Sequence, residues 1–185
     1  MRLLERDDSI LIVIDVQPGF GPPDAVVGRI AWLTGVAVAL GVPVIVTEED
    51  PARNGPTSPE VLARAPASTK AFVKPVFGLA DTPEILSAVE GLGRRTVVLA
   101  GFETDVCVTH SALGLLDLGY RVAVVTDATG SPGEMHELGL RRIRDAGATL
   151  VHAKGVYYEW ARTLEAARAF EAANPDLADP PGFSL

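Results

Sequence analysis

The sequence predicts an α/β fold: a doubly wound, mostly parallel six-stranded sheet with helices on both faces, a Rossmann-like three-layer arrangement. Three observations predict it. Short β-branched apolar runs alternate with helical patterns along most of the 185 residues. The runs are nearly continuously apolar rather than alternating, as expected of parallel strands covered on both faces. Two of the helical patterns close on a glycine immediately before the next run, where a helix stops and a strand starts.

Taken in order, strands are expected at 9–14, 43–47, 69–73, 96–100, 121–126 and 149–152, and helices at 24–40, 82–91, 105–118 and 134–146. The first helix places Val26, Ile30, Leu33, Ala37 and Leu40 at spacings of four and three, one buried stripe. Trp32, Val36 and Ala39 lie off that stripe, so this helix needs cover on more than one side, from a loop or from another subunit. The third helix ends at Leu118-Gly119-Tyr120 and the fourth at Ala146-Gly147-Ala148. The segment 48–59 is rich in proline, follows a strand and reads as an irregular loop at the carboxyl edge of the sheet. Residues 1–173 form a single domain in this reading. Residues 174–185 form a proline-rich extension, lying on the surface or embracing a partner.

Composition narrows the function. At 48% hydrophobic and 22% charged, the chain can build a sizeable core. Sixteen basic against 24 acidic residues leave a net charge of −8, which argues against nucleic acid or an anionic membrane as partner. A small-molecule substrate fits better. One cysteine excludes an internal disulfide framework and suggests a reducing, cytoplasmic setting. The first eight residues turn acidic before any apolar run, unlike a signal peptide. Residues 30–47 carry no charge, but Gly35, Gly41 and Pro43 divide them into a helix end and a strand start rather than a membrane span.

In open α/β sheets, ligands bind beyond the carboxyl ends of the strands. Three reactive residues fall there: Asp15 after the first strand, Lys74 after the third and Cys107 shortly after the fourth. Each alone has a structural explanation, as a turn residue, an edge charge or a small core residue. Together they form a set of parts for acyl transfer. With Thr104 as N-cap, Cys107 would sit in the first turn of a helix, where the dipole and the Lys74 ammonium favour a thiolate. Asp15 would accept the thiol proton and return it to a leaving group. His110, three residues beyond Cys107, lacks the in-line geometry of a base. The loop 129–134 matches no phosphate-binding glycine spacing, and no GxSxG elbow is present.

These residues resemble the isochorismatase-like cysteine hydrolases over roughly residues 8–160. The resemblance is carried by Ile14-Asp15-Val16-Gln17 with Phe20, by Lys74, by the run from Ala100 through Cys107 to Val108, and by Val124-Val125-Thr126-Asp127-Ala128. It implies an Asp15/Lys74/Cys107 triad and a non-proline cis peptide at Phe102–Glu103. It also implies an oxyanion hole from the Glu103 and Cys107 N–H groups, a homo-oligomer and no cofactor. Nicotinamidases of this family carry metal ligands, histidines among them, after the second strand; the loop 47–55 here has no histidine, so no metal site is expected. True isochorismatases lack the nucleophilic cysteine, which counts against vinyl ether hydrolysis. The pattern looks most like the YcaC-like hydrolases. The expected activity is hydrolysis of a small amide or related C–N bond through a thioester-type intermediate. The alternatives are a non-catalytic binding or assembly protein and an isochorismatase-type ether hydrolase. Gln17, Phe20, Phe77 and Glu103, which flank the triad in sequence, are the candidate pocket walls.

Overall fold

The computed structural model describes residues 2–185. Six strands form one sheet: β1 (Ser9–Ile14), β2 (Val44–Glu49), β3 (Phe72–Lys74), β4 (Thr96–Phe102), β5 (Arg121–Gly130) and β6 (Thr149–Val151). Their order is β3-β2-β1-β4-β5-β6 and every pairing is parallel. Parallel neighbours need crossovers, and the helices supply them.

Strand side chains alternate between two cores. Leu11, Val13, Val98, Ala100, Ala123 and Val125 pack with α1 (Asp24–Ala39), α7 (Ala153–Ala161) and α8 (Leu164–Ala173). Ile10, Ile12, Val97, Leu99, Val122 and Val124 pack with α4 (Pro83–Gly91), α5 (Thr109–Asp117) and α6 (Met135–Asp145). With both faces covered, each central strand is apolar throughout, which is why the sequence shows runs instead of alternation.

Several expectations are corrected. The segment 48–59 is not wholly irregular: it holds α2 (Pro51–Asn54), and α3 (Pro59–Arg64) begins at its end. Helices α7 and α8 were not anticipated, although Val156 and Trp160, and Ala167 and Phe170, recur at helical spacing and are buried. The expected helix 105–118 is split, with a π turn at Thr104–Val108 preceding α5. Thr104 does not cap it; its Oγ1 lies 2.9 Å from His136 Nδ1 on α6.

The first helix is apolar all round because its outer side is covered by the chain's own tail. Trp32 Nε1 donates to Leu177 O at 2.8 Å, the Phe183 ring stands edge-on to Trp32 at 5.3 Å, and Arg29 donates to Pro181 O. Among the described residues, no helix is long and apolar enough to cross a membrane. The uncharged stretch 30–47 divides between α1 and β2.

Candidate functional site

The strand order reverses between β1 and β4, and a crevice opens at the carboxyl ends flanking such a switch point. Asp15 follows β1 and Cys107 lies five residues beyond the end of β4, so both flank it. Asp15 adopts φ 49°, a left-handed backbone that a non-glycine residue holds at a cost of about 1–2 kcal/mol. Its N–H donates to Thr47 O on β2, and its Oδ1 accepts from Thr47 Oγ1 at 2.8 Å.

Lys74 closes β3 opposite Glu49 in the parallel register with β2. Its Nζ lies 2.6 Å from Asp15 Oδ2, and both side chains are 0% exposed. A buried charge persists only with such a partner.

Cys107 is aimed by the backbone after β4. A Cβ on Gly101, at φ +129°, would stand 1.9 Å from Ile14 O, so only glycine lets β4 pass β1 here. The Phe102–Glu103 peptide is cis. Glu103 O accepts from Val106 N and Val108 N, and Ser131 Oγ donates to Asp105 Oδ1 at 2.6 Å. Helix α6 packs directly on this turn: a Cβ on Gly139 would meet the Asp105 backbone at 2.8 Å.

Carboxylate oxygens of Asp15 and Glu49 and the Cys107 sulfur lie within 4.8 Å of one another. The Cys107 thiol donates to Glu49 Oε2 at 3.1 Å. Distances of this kind could hold a cation, and an ammonium already takes that role: Lys74 Nζ is 2.6 Å from Asp15 and 3.9 Å from Glu49. Burial lifts the Asp15 carboxyl above its ordinary range, against the pull of Lys74 and its hydrogen bonds. Burial also pushes the Cys107 thiol up, the Asp15 charge adds to this, and Lys74 only partly opposes it. Against the thiolate expected from a helix start and one lysine, burial first and the Asp15 charge second favour the neutral thiol of Cys107.

The remaining predicted residues separate. Phe77 lines a cavity of about 620 Å³ shared with Glu49, Lys74 and Val76, and stacks edge-on against His110. Phe20 and Glu103 line a second hollow of about 250 Å³ with Phe102 and Ser131. Gln17 lines neither. It is fully buried, its Nε2 donating to Glu49 O and Gly55 O while its Oε1 accepts from Glu49 N. Glu49 is not among the site residues expected from the sequence, which shows Glu48, Glu49 and Asp50 only as a solvated or substrate-facing acidic edge. It closes β2 at the same edge where Asp15 follows β1, which is a signal, but three consecutive acids (Glu48, Glu49, Asp50) gave no basis for choosing among them.

The fold and site together are those of a doubly wound α/β protein with a buried Asp–Lys pair beside a thiol at its switch point. The model of the isochorismatase domain matches residues 9–154, and the chain belongs to that family of hydrolases. It is 37% identical over 161 residues to isochorismatase domain-containing protein 2 of Xenopus laevis, covering 84% of this chain and 76% of that one. It is 29% identical to the probable hydrolase YcaC of Escherichia coli, covering 88% and 84%. Among solved structures, YcaC from Pseudomonas aeruginosa, with hexane-2,5-diol and covalent acrylamide, superposes with a TM-score of 0.87 at 26% identity, covering 96% of this chain and 95% of that one.

Proposed function

We propose that this chain is a cysteine hydrolase of a small amide or related C–N bond, working through Asp15, Lys74 and Cys107. The observation that carries this reading is the buried Lys74–Asp15 pair, whose carboxylate lies within 4.8 Å of the sole thiol in the chain. As Cys107 Sγ bonds to the carbonyl carbon, its proton passes to Asp15, whose raised pKa makes it a stronger base than an ordinary carboxylate. The C–N bond then breaks, with Asp15 returning that proton to the departing amine and leaving a thioester. Water attacks the thioester, its proton goes to Asp15, and the sulfur leaves and takes the proton back. Lys74 remains an ammonium throughout and holds Asp15 in place. The N–H groups of Glu103 and Cys107 are the donors for the oxyanion in this scheme. These steps call for no cofactor or metal.

The crystal structure of E. coli YcaC is that of an octameric hydrolase of unknown specificity. We infer a homo-oligomer for this chain as well. A reduced thiol nucleophile suits a cytoplasmic setting.

The test is turnover of a panel of small amides, ureas and carbamoyl compounds, with intact-mass detection of an acyl adduct. Cys107→Ala is expected to lower kcat at least about 1,000-fold with an unchanged circular dichroism spectrum. Turnover that survives Cys107→Ala would overturn the mechanism.

A further inference from the structure

Glu49 stands at a boundary. Its carboxylate lines the 620 Å³ cavity, and its Oε2 accepts the Cys107 thiol at 3.1 Å. Its side chain is 24% exposed, whereas Asp15 and Lys74 are sealed off completely. The main chain beneath it is clamped: Gln17 bonds both its N–H and its carbonyl, and Asn54 Nδ2 donates to the same carbonyl at 2.9 Å. The neighbouring Glu48 is spent on Thr57, accepting from its N–H and hydroxyl. Glu49 instead shares the Lys74 ammonium with Asp15. Lys74 lies 1.3 Å closer to Asp15 (2.6 against 3.9 Å), so the site carries one negative charge in excess at the nucleophile. Asp50 on the same cavity wall adds to that sign.

An ammonium–carboxylate pair plus one further carboxylate repels an incoming anion and offers an acceptor to an incoming N–H. We propose that Glu49 is the specificity-determining residue of this site: its Oε2 exchanges the thiol for an N–H of a neutral or cationic nitrogen group on the electrophilic carbon, and its charge rejects substrates with a carboxylate there. The proposal rests on the cysteine-hydrolase reading and narrows its substrates to unsubstituted amides, carbamoyl compounds and amidinium-like groups. The exchange is coupled to chemistry. While Glu49 holds the thiol proton it opposes ionisation; once a substrate N–H takes Oε2, Asp15 becomes the partner of the thiol.

The test uses two alkylating agents of nearly the same shape, iodoacetamide and iodoacetate, on the intact protein. In each case the Sγ–C bond forms, the C–I bond breaks, iodide leaves and the thiol proton is lost to a base. With a single cysteine in the chain, each mass increment reports on Cys107. The folded wild type is expected to prefer iodoacetamide at least about 10-fold more than the urea-unfolded chain does, since one charge at this distance is worth more than one decade in rate. Glu49→Gln should bring the preference to within about 3-fold of the unfolded value, and Glu49→Asp should retain most of it. In the wild type alone, the preference should shrink in about 1 M salt as the charge is screened. A wild-type preference equal to that of the unfolded chain, or one that Glu49→Gln leaves intact, overturns the proposal. Selectivity that depends on Glu49 with no amide turned over would sink the hydrolase reading and leave only the charge selection by Glu49 at the thiol standing. Amide turnover with a preference indifferent to residue 49 would do the reverse.

Discussion

The buried ion pair yields the sharpest prediction. Lys74→Met removes the ammonium and keeps most of the side-chain volume. At 2.6 Å and an effective dielectric of about 20, the attraction between the two charges is roughly 6 kcal/mol. Desolvation offsets much of that while the pair is intact, but loss of one partner strands the other at a cost of about 3–5 kcal/mol. Thr47 Oγ1 still donates to Asp15, so the expected loss is near the lower end, about 3 kcal/mol at pH 8. Asp15 has an escape: it can take up a proton. Burial already raises its pKa, and without the ammonium it rises further. A carboxyl raised above its unfolded value adds stability at low pH and loses it as pH climbs through the folded value. The defect should therefore shrink toward about pH 5 and be fullest near pH 8. Urea unfolding at fixed protein concentration reads this directly, and Asp15→Asn/Lys74→Met should recover more than half of the loss. A defect under about 1 kcal/mol at pH 8, or one that grows toward acid, would mean that Lys74 does not hold a buried Asp15 charge.

Three further outcomes are expected. The reaction of Cys107 with a neutral thiol reagent should keep rising past about pH 9, because the thiol lies above the ordinary value near 8.5; a plateau at neutral pH would contradict this. Gly101→Ala should cost at least about 3 kcal/mol or abolish soluble expression, since its Cβ would overlap Ile14 O; an unchanged Tm would show that β4 can shift. Phe183→Ala removes ring contacts to Trp32 and His152 and a cation–π contact with Arg29. It should cost about 1–2 kcal/mol and speed hydrogen exchange across 174–185 while leaving Cys107 alkylation unchanged; unaltered exchange would mean that the tail is held by other contacts.

The sheet was legible because parallel strands buried on both faces leave a continuous apolar run that little else in the chain imitates. β1 matches its expected bounds, and all six strands fall where the runs do. The ends are less legible: β5 continues to Gly130, past the polar Thr126 and Asp127, because its pairing with β4 resumes after a register shift. The helices after residue 152 escaped notice through a weaker signal. In α8, Ala167 and Phe170 are buried while most of its other residues are exposed, so its apolar stripe is narrow.

For the site, covalent order alone placed Asp15, Lys74 and Cys107 at the carboxyl ends of strands, and the switch-point rule brought them to one edge. Their pairing is a tertiary matter. Successive side chains of a strand face opposite sides, so the register of β2 between β1 and β3 decided that Glu49 meets the thiol and Glu48 meets Thr57. Gln17, near in sequence to Asp15, became the clamp beneath Glu49 instead of a pocket wall. The direction in which the Cys107 thiol is shifted likewise follows from distance and burial. A helix start and one lysine argue for a thiolate, but desolvation and the Asp15 charge act through space and reverse the sign. Local hydrophobic pattern and chain order are enough to specify a doubly wound sheet with three reactive groups at its edge. Which carboxylate touches the sulfur, and the push of the thiol toward its neutral form, depend on strand register and burial, which bring together residues far apart in the chain.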